Sequence, residues 1–137
     1  MKVLRWADVL LMMAECKANT SDVPGAVTLM NQVRARPDVN MPLYGTPAMN
    51  ATYPVTNLAQ FMVALEHERK VELCGEQVRF PDLVRWGRLA AFMTAVKPSL
   101  PLQEQNQLQF DPVKNQLWPI PQGEMQANPK MVQNTGY

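Results

Sequence analysis

The sequence is poor in the residues that build most reactive centres. One histidine, His67, and two cysteines, Cys16 and Cys74, stand among 137 residues. Zinc sites and disulfide frameworks need several Cys or His at set spacings, so neither is expected. Charge of either sign is in short supply as well: 13 Lys and Arg face 12 Asp and Glu, a net charge of +1. Neutralising many phosphates takes a clustered basic excess, which excludes nucleic acid as a natural partner. No apolar run approaches the roughly 20 residues of a membrane helix. Arg5 and Asp8 interrupt any hydrophobic segment of the signal-peptide kind at the start. Gly-rich phosphate loops and nucleophile elbows are missing too.

Proline is plentiful, and its placement is informative. Pro37, Pro42, Pro47 and Pro54 fall in the stretch 37–57, where Asp38 is the only charged residue. Proline fixes its own backbone and disfavours helix in the residue before it, so this stretch reads as a long loop. Loops of such length are uncommon in compact domains and often functional. A second group, Pro98, Pro101, Pro112, Pro119, Pro121 and Pro129, makes 97–137 an extended, turn-rich tail. One helical turn is expected there, near Gln122 to Ala127.

Helical periodicity fills the intervals between prolines. From Val3 to Ala18, the apolar residues Val3, Trp6, Ala7, Leu10, Met13 and Ala14 recur at steps of three and four. Ser21 or Asp22 can cap a second helix with Pro24 in its first turn, running to about Ala35. Asn57 can cap a third, Leu58 to Cys74, which Gly75 would end. A fourth runs from Phe80 or Pro81 to Val96, with Gly87 inside it or at a bend. No alternating strand pattern is evident, so the fold class is mainly α and the chain one domain, with a helix pair over 3–36 and further helices over 58–96. Trp6, Val9, Leu10, Met13 and Ala14, closed by Pro37, are faintly tetratricopeptide-like, and such repeats are about 34 residues long. A solenoid unit cannot bury both faces alone. The first helix opens without a capping residue, and the simplest expectation is that chain precedes it. Its outward face is then expected to be exposed and apolar, and prone to self-association.

The candidate site is a charged cluster. At 100° per residue from Leu58, the residues Met62, Leu65, Arg69, Glu72 and Glu76 lie within about 40° of one direction. An apolar stripe thus continues as a charged stripe on the same face, with His67 opposite. Arg79, Asp82 and Arg85 supply complementary charge in the next segment. This predicts a partly buried structural network of Glu68, Arg69, Glu72, Glu76, Arg79, Asp82 and Arg85 where the third and fourth helices meet. Buried charges are costly unless paired, and Arg suits bidentate pairing with carboxylates. Read catalytically, Glu68 and Glu72 would be an acid and base, yet adjacent arginines lower carboxyl pKa values, which is poor tuning for an acid. His67 reads as a surface residue and the cysteines as buried thiols. Trp6 and Trp86 read as core, and the ten methionines as core filling. Tyr44 and Tyr53 differ, because they sit in the charge-poor loop. They are either anchors of that loop or exposed rings that stack on a sugar or a partner protein.

The run from His67 through Glu68, Arg69, Lys70, Val71, Glu72, Leu73, Cys74 and Gly75 to Glu76, followed by Arg79 through Gly87, resembles the signature of the SusD/RagB proteins. These are outer-membrane glycan-binding lipoproteins of the Bacteroidetes. Arg5 to Met12 with Ala14 and Glu15 resembles the first C-terminal helix of that family, and Ala26 with Asn31 to Arg36 the second. Leu117-Trp118-Pro119-Ile120-Pro121, Glu124, Asn128-Pro129, Gln133-Asn134 and Gly136-Tyr137 resemble its extreme C-terminus. Pro81, Cys74 and Thr135 depart from common residues of the pattern and bear on local packing alone.

The resemblance implies a mostly helical protein with tetratricopeptide-like helix pairs, several times longer than this chain. It implies no enzyme activity and no cofactor. The ligand would be an oligosaccharide or polysaccharide, captured at the cell surface for a SusC-like TonB-dependent outer-membrane transporter. Attachment to the membrane would be by a lipid anchor outside this chain, since Cys16 and Cys74 lie far inside it. Tyr44 and Tyr53 are the sugar-contact residues this segment offers. The alternative is an interaction module that docks on the transporter, with the sugar bound elsewhere in the protein. A glycosidase using Glu66, Glu68 or Glu72 is a distant third reading.

Overall fold

A computed structural model describes residues 4–137; Val3, the expected start of the first helix, lies outside the described residues. The described residues form helices and turns with no strand, and the mainly α class is observed. The helices are α1 (Trp6–Asn19), α2 (Val23–Arg34), α3 (Pro47–Asn50), α4 (Leu58–Glu72), α5 (Arg79–Arg85), α6 (Leu89–Val96), α7 (Leu102–Gln107) and α8 (Gln122–Ala127). They fall into two compact units, one ending at Arg79 and the other spanning Phe80–Tyr137.

In the first unit α1, α2 and α4 pack on one another. The buried positions of α1 are Ala7, Leu10, Leu11, Ala14 and Ala18, against Ala26, Met30 and Val33 of α2. Alanine at so many contact positions lets the two backbones approach closely. Phe61, Ala64 and Leu65 of α4 complete the core. Complete burial of one such large apolar side chain stabilises by about 1.5–3 kcal/mol.

The turn between α1 and α2 is built by local chemistry. Asp22 caps α2 by accepting from the Gly25 N–H at 2.8 Å, and Lys17 Nζ lies 2.6 Å from its other oxygen. The carboxylate comes so near that a Cβ on Gly25 would stand 2.2 Å from Asp22 Oδ2. Asn57 caps α4 by accepting from the Gln60 N–H at 3.0 Å. Both caps are the expected residues. The expected fourth helix is instead two, because Gly87 adopts φ +65° between α5 and α6, a left-handed value that breaks helical continuity.

The loop 37–57 contains one short helix, α3, whose first residue is Pro47. In the second unit, α8 occupies the Gln122 to Ala127 turn expected in the tail, whereas α7 was not foreseen. The tail is cross-linked by its own side chains. Gln133 exchanges hydrogen bonds with the Ile120 backbone at 2.8 and 2.9 Å, and Asn134 Nδ2 donates to the Trp118 carbonyl at 2.7 Å.

Three burial expectations fail. Trp6 is 67% exposed, while its neighbour Ala7 takes the core position. Cys16 and Cys74 are both exposed. Cys16 lies on the outward side of α1, and Cys74 follows the end of α4, so neither shares the arc that their helices bury.

Candidate functional site

The charged residues of α4 lie where its apolar stripe runs out, and the structure pairs them mainly with α1 and α2. Glu68 is at the centre. Arg34, the last residue of α2, places Nη1 2.6 Å from Glu68 Oε2, and both side chains are 6% exposed. The same arginine donates from Nε to the Pro42 carbonyl at 2.7 Å. Its guanidinium carbon lies 4.6 Å from the centre of the Tyr44 ring.

Tyr44 ties the loop into this cluster. Its hydroxyl donates to Glu68 Oε2 at 3.0 Å, and its N–H donates to Asn31 Oδ1 at 2.9 Å. Asn31 Nδ2 returns a bond to the Tyr44 carbonyl at 3.1 Å. Burial, and then the charge of Glu68, push the phenol well above its usual range. It therefore stays protonated and acts as a donor. With 2% of its surface exposed, Tyr44 is an anchor of the loop and presents no ring face to a sugar.

Tyr53 packs edge-on to Tyr44, with ring centres 6.3 Å apart. It also stacks on His67 at 4.3 Å and bonds through its hydroxyl to His67 Nδ1 at 2.9 Å. The histidine expected to be a plain surface residue is thus half-buried and joined to the loop. Burial holds its pKa below the ordinary histidine value.

A second group of pairs lies further along α4. Arg69 Nη1 is 2.8 Å from Asp8 Oδ1 on α1. Glu72 takes Arg5 Nη1 at 2.5 Å and Arg36 Nη1 at 3.0 Å, and its backbone carbonyl accepts from Arg5 Nη2. Arg5 also reaches Glu76 at 2.7 Å. Burial opposes the charge on Arg5, yet its bonds to Glu72 and Glu76 outweigh this and raise its pKa. Glu66 meets Arg79 Nη2 at 2.9 Å, and within the second unit Arg85 Nε meets Asp82 Oδ1 at 2.9 Å.

All seven expected network residues therefore carry ion pairs. The location was misjudged: only the Arg79 pair joins α4 to the segment after it. The other α4 pairs reach back to the first two helices, and Asp82 and Arg85 pair with each other inside α5. Sequence reasoning missed Arg5, Asp8, Arg34, Arg36 and Asn31 as partners. A signal was present for two of them. Arg34 lies four residues beyond buried Met30, and Asp8 lies three before buried Leu11, the same continuation of an apolar stripe by charge that marked α4.

Chemically this is a clamp. It binds loop 37–57 and the C-terminal end of α2 to α4, and it leaves Glu66, Glu68 and Glu72 each held by an arginine.

The sequence model of the SusD family matches residues 1–137. The chain belongs to the SusD family. A SusD-like protein of Formosa agariphila is 33% identical over 141 residues, which take in 98% of this chain and 24% of that protein. A second SusD-like protein of the same organism is 29% identical over 136 residues, again 98% of this chain and 24% of the relative. The crystal structure of a SusD superfamily protein from Bacteroides vulgatus superposes with a TM-score of 0.76 at 28% identity, covering 98% of this chain and 27% of that one. The chain thus spans about a quarter of the length of these SusD-type relatives. Its helix pair and clamp are features of a SusD fold, and the tetratricopeptide-like character read from α1 and α2 fits that assignment.

Proposed function

We propose that this chain is the C-terminal part of a cell-surface binding protein that captures an oligosaccharide or polysaccharide for import without cleaving it. The observation that carries the proposal is the SusD family match across residues 1–137. In this reading the whole protein works with a SusC-type TonB-dependent transporter and is held at the outer membrane by a lipid anchor outside this chain. Among the described residues no helix is long and apolar enough to cross a membrane. The arginines on Glu66, Glu68 and Glu72 support a binding role, because a general acid needs its carboxyl pKa raised.

A second reading is that this portion is a scaffold or transporter-docking module, with the sugar bound elsewhere in the protein. Burial of Tyr44 favours it, since of the two loop tyrosines only Tyr53 remains partly accessible for stacking. Calorimetric titration of an oligosaccharide panel into this chain and into the product of the full coding sequence separates the two. Binding by both, weakened by Tyr53→Ala, supports sugar contact here; binding by the longer protein alone supports the scaffold reading. Sugar binding by neither, or release of reducing sugar that Glu68→Gln abolishes, overturns the proposal.

A further inference from the structure

Helix α1 has two apolar faces, and one of them has no partner within this chain's first unit. Ala7, Leu11, Ala14 and Ala18 face the core. Trp6, Val9, Met13 and Cys16 recur at steps of three and four on the other side, within an arc of about 80° at 100° per residue. Trp6 is 67% and Met13 45% exposed, Val9 is half-buried, and Cys16 is exposed. Beside this stripe a groove of about 460 Å³ opens between α1 and α2, lined by Trp6, Ala7, Leu10, Gln32, Val33 and the arginines Arg5 and Arg36. The Nε of Arg36 is shielded from solvent there without a hydrogen bond.

We propose that this face is the seat of an α-helix supplied by the part of the same protein that precedes residue 1. A helix apolar on two sides belongs between two layers. Helix pairs of a solenoid bury their faces only by stacking on neighbours. The relatives extend well beyond the region matched here, which is 24% of one and 27% of another. Leu4, Arg5 and Trp6 also bring the preceding chain to the face itself, since Arg5 and Trp6 line the groove. The incoming helix would lay an apolar stripe on Trp6, Val9 and Met13 and bring a hydrogen-bond acceptor to Arg36. The proposal rests on family membership and on this surface, and it is independent of whether the protein binds glycan.

Cys16 is a built-in reporter of the face, and exposed Cys74, located away from it, is the internal reference. Iodoacetamide labelling read by peptide mass spectrometry gives the ratio of the two rates, which depend on thiol access. In the 137-residue chain both thiols are expected to label at similar rates. In the product of the full coding sequence, Cys16 labelling should fall about tenfold relative to Cys74. Trp6→Glu with Met13→Glu should restore it there while leaving the melting temperature of the shorter chain unchanged. An undiminished Cys16 ratio in the longer protein overturns the proposal. So does protection that develops in the shorter chain as its concentration rises, which would assign the face to a second copy.

Discussion

Replacing Arg34 by methionine is the sharpest test of the clamp. The substitution keeps most of the aliphatic volume and removes the charge, leaving Glu68 with a buried carboxylate whose side chain is 6% exposed. Breaking a buried pair by removing one partner costs about 3–5 kcal/mol, because the remaining charge is uncompensated. Arg34→Met also strips the Pro42 carbonyl of its donor, so the upper part of that range is expected. For a unit of this size about 4–8 °C accompanies each kcal/mol, and the melting temperature should fall by at least about 12 °C. Circular dichroism during urea and thermal unfolding measures both quantities. The control is Lys17→Met, since Lys17 and Asp22 pair with both side chains 44% exposed, and such surface pairs are worth about 0–1 kcal/mol. Equal losses for the two variants would refute the claim that desolvation makes the Arg34–Glu68 pair costly to break. Arg34→Met combined with Glu68→Leu should recover much of the loss, because the orphaned charge is then gone. If the double variant is as unstable as Arg34→Met, the damage comes from lost packing and the Pro42 bond, and the orphaned charge is the wrong cause.

Two further outcomes follow from the same geometry. Arg69→Met should cost about 3 kcal/mol by leaving half-buried Asp8 without this partner; an unchanged urea midpoint would show that Arg69 is not needed to neutralise it. Because His67 is the single histidine and burial lowers its pKa in the fold, the unfolded chain binds more protons below its ordinary pKa of about 6.5. Stability therefore rises with pH across that window and is lost as pH falls from about 6.5 through the lower folded value. His67→Gln should flatten this part of the profile, and a histidine NMR titration at or above the unfolded pKa would contradict the sign.

The elements that sequence reasoning placed well are those specified by local rules. Asp22 and Asn57 cap α2 and α4 because a short acceptor side chain at a helix start meets free N–H groups wherever the rest of the chain goes. The α8 turn follows Pro121, which suits the start of a helix and not its interior. Gly87 was ambiguous from sequence, since glycine is compatible with a helix and with the φ of +65° that it adopts. The misplaced residues are those decided by tertiary choice. Trp6 and Ala7 are neighbours in one apolar pattern, and only the packing of α1 on α2 and α4 selects the alanine for the core.

The candidate site shows the same division more sharply. Periodicity can reveal that α4 continues its buried stripe with charge, because that is a property of one helix. It cannot name the opposite charges, because pairing partners are set by which helices cross. The nearest complementary residues in sequence were Arg79, Asp82 and Arg85, and proximity along the chain favoured them. The α1–α2 hairpin instead carries Asp8 and Arg34 to the same surface of α4 from 61 and 34 residues away. That choice has a consequence for the loop. A stretch with a single charged residue has few ion pairs with which to order itself, and Tyr44 serves in their place by donating to Glu68 beneath the Arg34 guanidinium. The same tyrosine that looked like a sugar platform in the sequence is therefore bound to a carboxylate that arginine already neutralises. Order in loop 37–57 and stability of the helix pair are thereby made one property, so a substitution at Glu68 should be felt in both.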